Sequence, residues 1–168
     1  MEPTPADLVA ALGARGMTLA TAESLTGGRL AAAVTEVPGS SQVYAGGVVT
    51  YASEAKMRVL DVPAEVVEEH GVVSAACAVA MAEGARRLLQ TDLALSTTGV
   101  AGPDRQEGKP VGTVFVGVAV AEGSTAIPLE LDGDRSSIQA QVVTAAVAAG
   151  VSAASGRVSR HTEDPGLG

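Results

Sequence analysis

Short apolar runs alternate with longer stretches of helical period along most of the chain, and breaks bearing Gly, Pro and Ser separate them. Thr18 to Ala22 reads as a strand, and about Gly28 to Thr35 as the helix that follows it. An earlier helix, capped by Asp7, runs to Ala14 and is stopped by Gly16. Gly46 to Tyr51 is a β-branched strand, and Ser53 to Leu60 returns to helical character. Pro63 starts a further helical turn that ends near His70-Gly71, and Ser74 caps a longer helix through Leu89. Leu93 to Thr98 is a strand running into Gly99-Val100-Ala101-Gly102-Pro103. Gly112 to Ala121 and Thr125 to Leu131 form a hairpin around Glu122-Gly123-Ser124, and Ser136 to about Ser152 is the last long helix. This order predicts an α/β fold with a mostly parallel, mixed sheet, helices on both faces and an antiparallel member. One domain over 1–155 is expected, followed by a polar, mobile tail over 156–168.

Composition narrows the chemistry. Hydrophobic residues make up 46% and charged residues 18% of 168 residues, which excludes a disordered chain. The aromatic share is 2%, so the core must be built from Ala, Val and Leu, and base stacking on aromatics is unsupported. A formal charge of −8 with no basic cluster argues further against nucleic acid as a partner. The single cysteine, Cys77, excludes a disulfide framework and a multi-cysteine zinc site, and its apolar surroundings suit a buried small residue. The N-terminus lacks the basic-then-apolar pattern of a targeting segment. The longest apolar stretch, Val142 to Ala154, is short and interrupted, so no membrane association and a cytoplasmic location are expected.

Two loops carry the candidate chemistry. In Thr21-Ala22-Glu23-Ser24-Leu25-Thr26-Gly27-Gly28 a strand breaks into hydroxyls and paired glycines just before a helix. Free N–H groups at the start of such a helix favour an anion, and Ser24 or Thr26 supplies a hydroxyl there. Ordinary N-capping and a simple turn explain the same residues. The loop after Leu93–Thr98 also follows a strand and also carries hydroxyls and glycines. Ligands bind where strand ends of an α/β sheet open into loops, so these two are the natural walls of one pocket.

With these segments in view, the chain resembles the CinA carboxy-terminal domain family, whose stand-alone members are nicotinamide mononucleotide amidohydrolases. The matching stretches are Ala22-Glu23-Ser24-Leu25-Thr26-Gly27-Gly28, Pro38-Gly39-Ser40-Ser41, Gly46 to Lys56 and His70-Gly71-Val72-Val73-Ser74. Thr98-Gly99-Val100-Ala101-Gly102-Pro103, Lys109-Pro110-Val111-Gly112-Thr113-Val114 and Gly133-Asp134-Arg135 continue them in order. The resemblance implies a three-layer α/β/α sandwich like the anticodon-binding-domain fold and a homodimer. It also implies hydrolysis of the carboxamide of nicotinamide mononucleotide to nicotinic acid mononucleotide and ammonia by a Ser/Lys mechanism. Three positions depart from the family pattern: Leu25 replaces a cysteine, Asp104 to Gly108 replaces a glycine-rich loop, and Gln139 stands where an arginine is common.

Amide hydrolysis without a metal needs a nucleophile, a base and oxyanion donors. No histidine suits the base role, because His70 ends a helix and His161 lies in the tail. Lys56 is the candidate base, provided that burial or nearby positive charge lowers its pKa. Tyr51, at a strand end, could hydrogen-bond the lysine or the nucleophile, or keep a wet hydroxyl. Ser24 and Ser41 are alternative nucleophiles, with a slight preference for Ser41, which is nearer to Lys56 in sequence. If Ser24, Thr26, Gly27 and Gly28 cradle a phosphate, Ser41 is free to be the nucleophile; if the helix end serves as the oxyanion hole, Ser24 takes that role. Thr98, Gly99, Ala101 and Gly102 form the opposing wall, Lys109 and Thr113 close over the ligand, and Arg135 is a further binding residue. No metal and no cofactor are expected; the partner is a small-molecule nucleotide. A non-catalytic nucleotide-binding module and an amidohydrolase for another small amide are the alternative functions.

Overall fold

A computed structural model describes residues 1–156, so the tail expected over 156–168 lies, apart from Gly156, outside the described residues. The first helix, α1 (Pro5–Ala14), starts earlier than Asp7 suggests. Thr4 is its N-cap, and Asp7 is the reciprocal partner in a capping box: the Asp7 N–H donates to Thr4 Oγ1 at 3.2 Å, and the Thr4 N–H donates to Asp7 Oδ2 at 2.7 Å. The chain continues through β1 (Leu19–Glu23), α2 (Arg29–Thr35), a 3-10 turn at Ser40–Gln42 and β2 (Tyr44–Val49). Three helices follow, α3 (Ser53–Leu60), α4 (Ala64–His70) and α5 (Ala75–Leu89). Then come β3 (Leu93–Gly99), β4 (Thr113–Val120), β5 (Gly123–Glu130) and α6 (Arg135–Ala154).

The five strands form one sheet in the order β2-β1-β3-β4-β5. β1 pairs in parallel with both β2 and β3, while β4 is antiparallel to β3 and β5. Four strands therefore share one direction and β4 alone opposes them, as the alternation of elements with a single hairpin predicts.

Strand side chains alternate between two different cores. Leu19, Leu93 and Leu95 face α1, α2 and α6, where they meet Leu8, Leu12, Leu30, Ile138 and Val142. Ala20, Ala22 and Ala94 face the other way, toward Leu60, Cys77, Met81 and Ala85 of α3 and α5. Small residues on that face let α5 approach the sheet closely. Gly117 completes the contact, because a Cβ there would overlap Ser96 Oγ and the Ala78 carbonyl, which are themselves joined by a 2.6 Å hydrogen bond. The result is a three-layer α/β/α sandwich. α6 is long and apolar enough to cross a membrane by composition, yet half of its apolar window is buried inside this fold, where it packs on α1, α2, β3 and β4.

Candidate active site

The site forms where the parallel strands β2, β1 and β3 end together. Glu23, the last residue of β1, is level with Val49 on one side and Thr97 on the other. The ladder runs one step further: the Ser24 N–H donates to the Thr97 carbonyl at 3.0 Å, and the Thr50 N–H donates to the Glu23 carbonyl at 2.9 Å. The peptide unit between Glu23 and Ser24 is thereby held between two neighbouring strand ends, which fixes the point from which the Ser24 side chain projects.

Lys56 enters this row from α3. Its side chain is 1% exposed. The Nζ lies 2.7 Å from the Thr50 carbonyl, 3.3 Å from the Tyr51 carbonyl and 2.9 Å from Ser24 Oγ. An ammonium donates to all three oxygens. A neutral amine has two N–H groups for the two carbonyls, and its lone pair then faces the Ser24 hydroxyl. Burial lowers the pKa of Lys56 from its ordinary value, while the nearby Cys77 and Glu107 act in the opposite direction. The pair therefore has the geometry and electrostatics of a hydroxyl nucleophile and its general base.

The N-terminus of α2 does not present free donors as the sequence suggests. Glu23, 1% exposed, turns its carboxylate back onto that helix. Its Oε1 accepts from the Leu30 N–H at 2.8 Å and from Thr26 Oγ1 at 2.7 Å, and its Oε2 accepts from the Ala31 N–H at 3.1 Å. The protein's own carboxylate thus fills the anion position. Thr26 is fully buried and serves this cap, and Gly27 and Gly28, at φ +56° and +103°, make the turn into α2.

Ser24 opens onto a cavity of about 380 Å³ walled by Leu25, Tyr51, Val72–Val73, the run 98–106 and Arg135. Of the sequence candidates, Ser24, Tyr51, Thr98, Gly99, Ala101, Gly102 and Arg135 line it. Lys56 sits directly behind Ser24. Thr98 spends its hydroxyl on the Val72 carbonyl at 2.7 Å, which ties the two walls together. Tyr51 contributes its carbonyl to Lys56, whereas its exposed hydroxyl accepts from Arg135 Nη2 at 2.9 Å. Arg135 Nη1 donates to the Gly102 carbonyl at 2.6 Å. Lys109 donates to the Val73 carbonyl at the cavity's flank, and Thr113 begins β4 outside the cavity wall.

Ser41 is not brought to this site. It is exposed in the turn that precedes β2, at the opposite end of the strand from Tyr51 and Lys56. At about 3.3 Å per residue, the strand between them spans roughly 20 Å. The structure therefore places Ser24, and not Ser41, beside the lysine.

Sequence reasoning does not find Glu23, Thr50 or Glu107. A carboxylate ending an apolar strand just before a helix was the available signal for Glu23. Gln139, at the position where an arginine is common, donates from Nε2 to the Leu25 carbonyl at 2.8 Å and so supports the residue beside Ser24.

The model of the CinA C-terminal domain matches residues 1–151. The chain belongs to that family. A CinA superfamily protein from Klebsiella pneumoniae superposes with a TM-score of 0.88 at 38% identity, covering 90% of this chain and 96% of that one. A competence/damage inducible protein of Agrobacterium tumefaciens gives a TM-score of 0.80 at 33% identity, with 88% and 94% covered. A Listeria welshimeri protein, provisionally named competence-damage inducible, is 53% identical over 116 residues, or 69% of this chain. The chain spans under a third of the length of such curated relatives, 28% in the Listeria case.

Proposed function

We propose that this CinA-type domain hydrolyses the carboxamide of nicotinamide mononucleotide, with Ser24 as nucleophile and Lys56 as general base. The observation that carries the reading is the 2.9 Å contact between Ser24 Oγ and the Nζ of a buried lysine. Ser24 Oγ attacks the carboxamide carbon while its proton passes to Lys56 Nζ. The tetrahedral intermediate collapses by expelling ammonia, which takes that proton from Lys56. Water, deprotonated by the same amine, then attacks the ester carbonyl; Ser24 Oγ leaves and takes the proton back from Lys56 Nζ, and nicotinic acid mononucleotide is released.

Two arginines at the cavity, Arg105 and Arg135, support a substrate that carries a phosphate, and they stand out in a chain of net charge −8. The chemistry proposed needs no metal. Among the described residues no group of three His, Cys, Asp or Glu side chains is placed to hold one.

The test is ammonia release from nicotinamide mononucleotide by the wild type, Ser24→Ala, Ser41→Ala and Lys56→Ala. Turnover should vanish in Ser24→Ala and Lys56→Ala and persist in Ser41→Ala. Full turnover by Ser24→Ala, or an acyl adduct mapped to Ser41, would overturn the assignment. Release from other small amides but not from this nucleotide would move the substrate and keep the mechanism.

A further inference from the structure

The loop between β3 and β4 carries an acid that the mechanism does not use. Gln106 and Lys109 close its tip: the Lys109 N–H donates to the Gln106 carbonyl at 2.9 Å and the Gln106 N–H to the Lys109 carbonyl at 3.3 Å. The two residues between them, Glu107 and Gly108, have φ of +53° and +72°. Asn or Gly is the usual choice at the first such position, and a glutamate there is strained. Its side chain accounts for the choice. Glu107 Oε1 accepts from the Val73 N–H at 2.8 Å and Oε2 from the Val72 N–H at 3.0 Å.

The residue before them, Gly71, is shaped to receive that carboxylate. It has a φ of +76°, and a Cβ on it would lie 2.5 Å from Glu107 Oε2. Lys109 adds a second tie, donating to the Val73 carbonyl. Val72 and Val73 line the cavity, and so do Pro103 to Gln106, the residues that lead into Glu107.

We propose that Glu107 is a positioning residue that clamps these two cavity walls at the separation the substrate needs, an inference that rests on the function proposed above. Lys56 meets Ser24 and the Thr50 and Tyr51 carbonyls at the strand ends, and Cys77 of α5 and Glu107 of this loop both favour its ammonium form. Burial pushes the lysine toward the amine, and Glu107 limits how far.

The chain has only two lysines, Lys56 and Lys109, so a lysine-selective 13Cε label gives two signals whose pH titrations can be followed without any assay of turnover. Lys56→Ala assigns them. In Glu107→Gln the Lys56 signal should titrate at lower pH than in the wild type, because a charge that favours the ammonium is gone. Nicotinamide mononucleotide binding, measured by calorimetry, should weaken about tenfold if the unclamped walls hold the binding separation about a tenth of the time. Gly71→Ala, which displaces the carboxylate but keeps its charge on the loop, should weaken binding similarly. An unmoved Lys56 titration together with unchanged nucleotide affinity in Glu107→Gln would overturn the clamp. So would weaker binding that only tracks a lower melting temperature while the Lys56 titration stays put. If the wild type does not bind this nucleotide at all, the proposed substrate fails, and hydrogen exchange at the Val72 and Val73 amides, which should quicken in Glu107→Gln, still decides the clamp.

Discussion

Replacing Glu23 by Ala should unsettle the whole domain. The carboxylate is 1% exposed and accepts from Thr26 Oγ1, the Leu30 N–H and the Ala31 N–H. Each hydrogen bond to a charged group is worth about 1.5–3 kcal/mol. The three losses do not add fully, because the Thr26 hydroxyl can turn to Thr97 Oγ1, already 2.8 Å away. The two backbone donors are fixed in the first turn of α2 and have no such choice. Two stranded donors and the space left by the side chain give a loss of about 3–5 kcal/mol. A domain of this size holds roughly 5–15 kcal/mol in total, and its midpoint moves about 2–4 °C per kcal/mol. Glu23→Ala should therefore melt about 6–20 °C below the wild type. Glu23→Gln keeps a carbonyl oxygen for Thr26 and Leu30 but turns an amide donor onto the Ala31 N–H, so about half of the loss is expected. Urea unfolding at neutral pH measures both, with unchanged slopes if only the native state is affected. A loss below about 1 kcal/mol in Glu23→Ala would refute the reasoning, since it would mean that water caps α2 as well as the carboxylate does.

Burial holds the folded-state pKa of Lys56 below that of the unfolded chain, so between the two values the unfolded state binds more protons. The unfolding free energy of the wild type should then rise relative to Lys56→Met as pH climbs from neutral toward 10.5, the ordinary lysine value, by about 1.4 kcal/mol for each unit of lowering. A difference that stays flat with pH would refute a lowered lysine. The Cys77 thiol is fully buried and pushed up to about 11, mainly by burial. It should resist a disulfide reagent at mildly alkaline pH until the protein is unfolded, and rapid labelling of the native chain would contradict the packing of α5. Gly117→Ala drives a methyl into Ser96 and the Ala78 carbonyl, and urea unfolding should show a loss of about 1–3 kcal/mol or more.

What the sequence made legible, and what it did not, follows from the physics of each position. The inner strands were readable as short apolar runs because both faces of the sheet are covered, leucines toward α1, α2 and α6 and alanines toward α3 and α5. Lys56 was readable as chemistry once its neighbours were in view, but its burial was not, since an exposed helix of the same composition would look identical. Glu23 was hidden because its partners, Leu30 and Ala31, lie seven and eight residues on, beyond the usual capping spacing. Glu107 was hidden for a similar reason: the N–H groups that it binds lie 34 and 35 residues back, in another wall of the cavity. Ser41 misled because proximity was counted along the chain. It precedes Lys56 by 15 residues and Ser24 precedes it by 32, yet the shorter path contains β2. A strand is the most extended form the backbone takes, so a serine before it is carried a strand's length away. A serine ending the neighbouring parallel strand arrives at the same edge of the sheet. In a parallel sheet, groups that must touch should therefore be sought at the C-terminal ends of adjacent strands. By that rule Ser24, after β1, belongs with a lysine that enters just after β2, and the 2.9 Å contact between them is the outcome the topology requires.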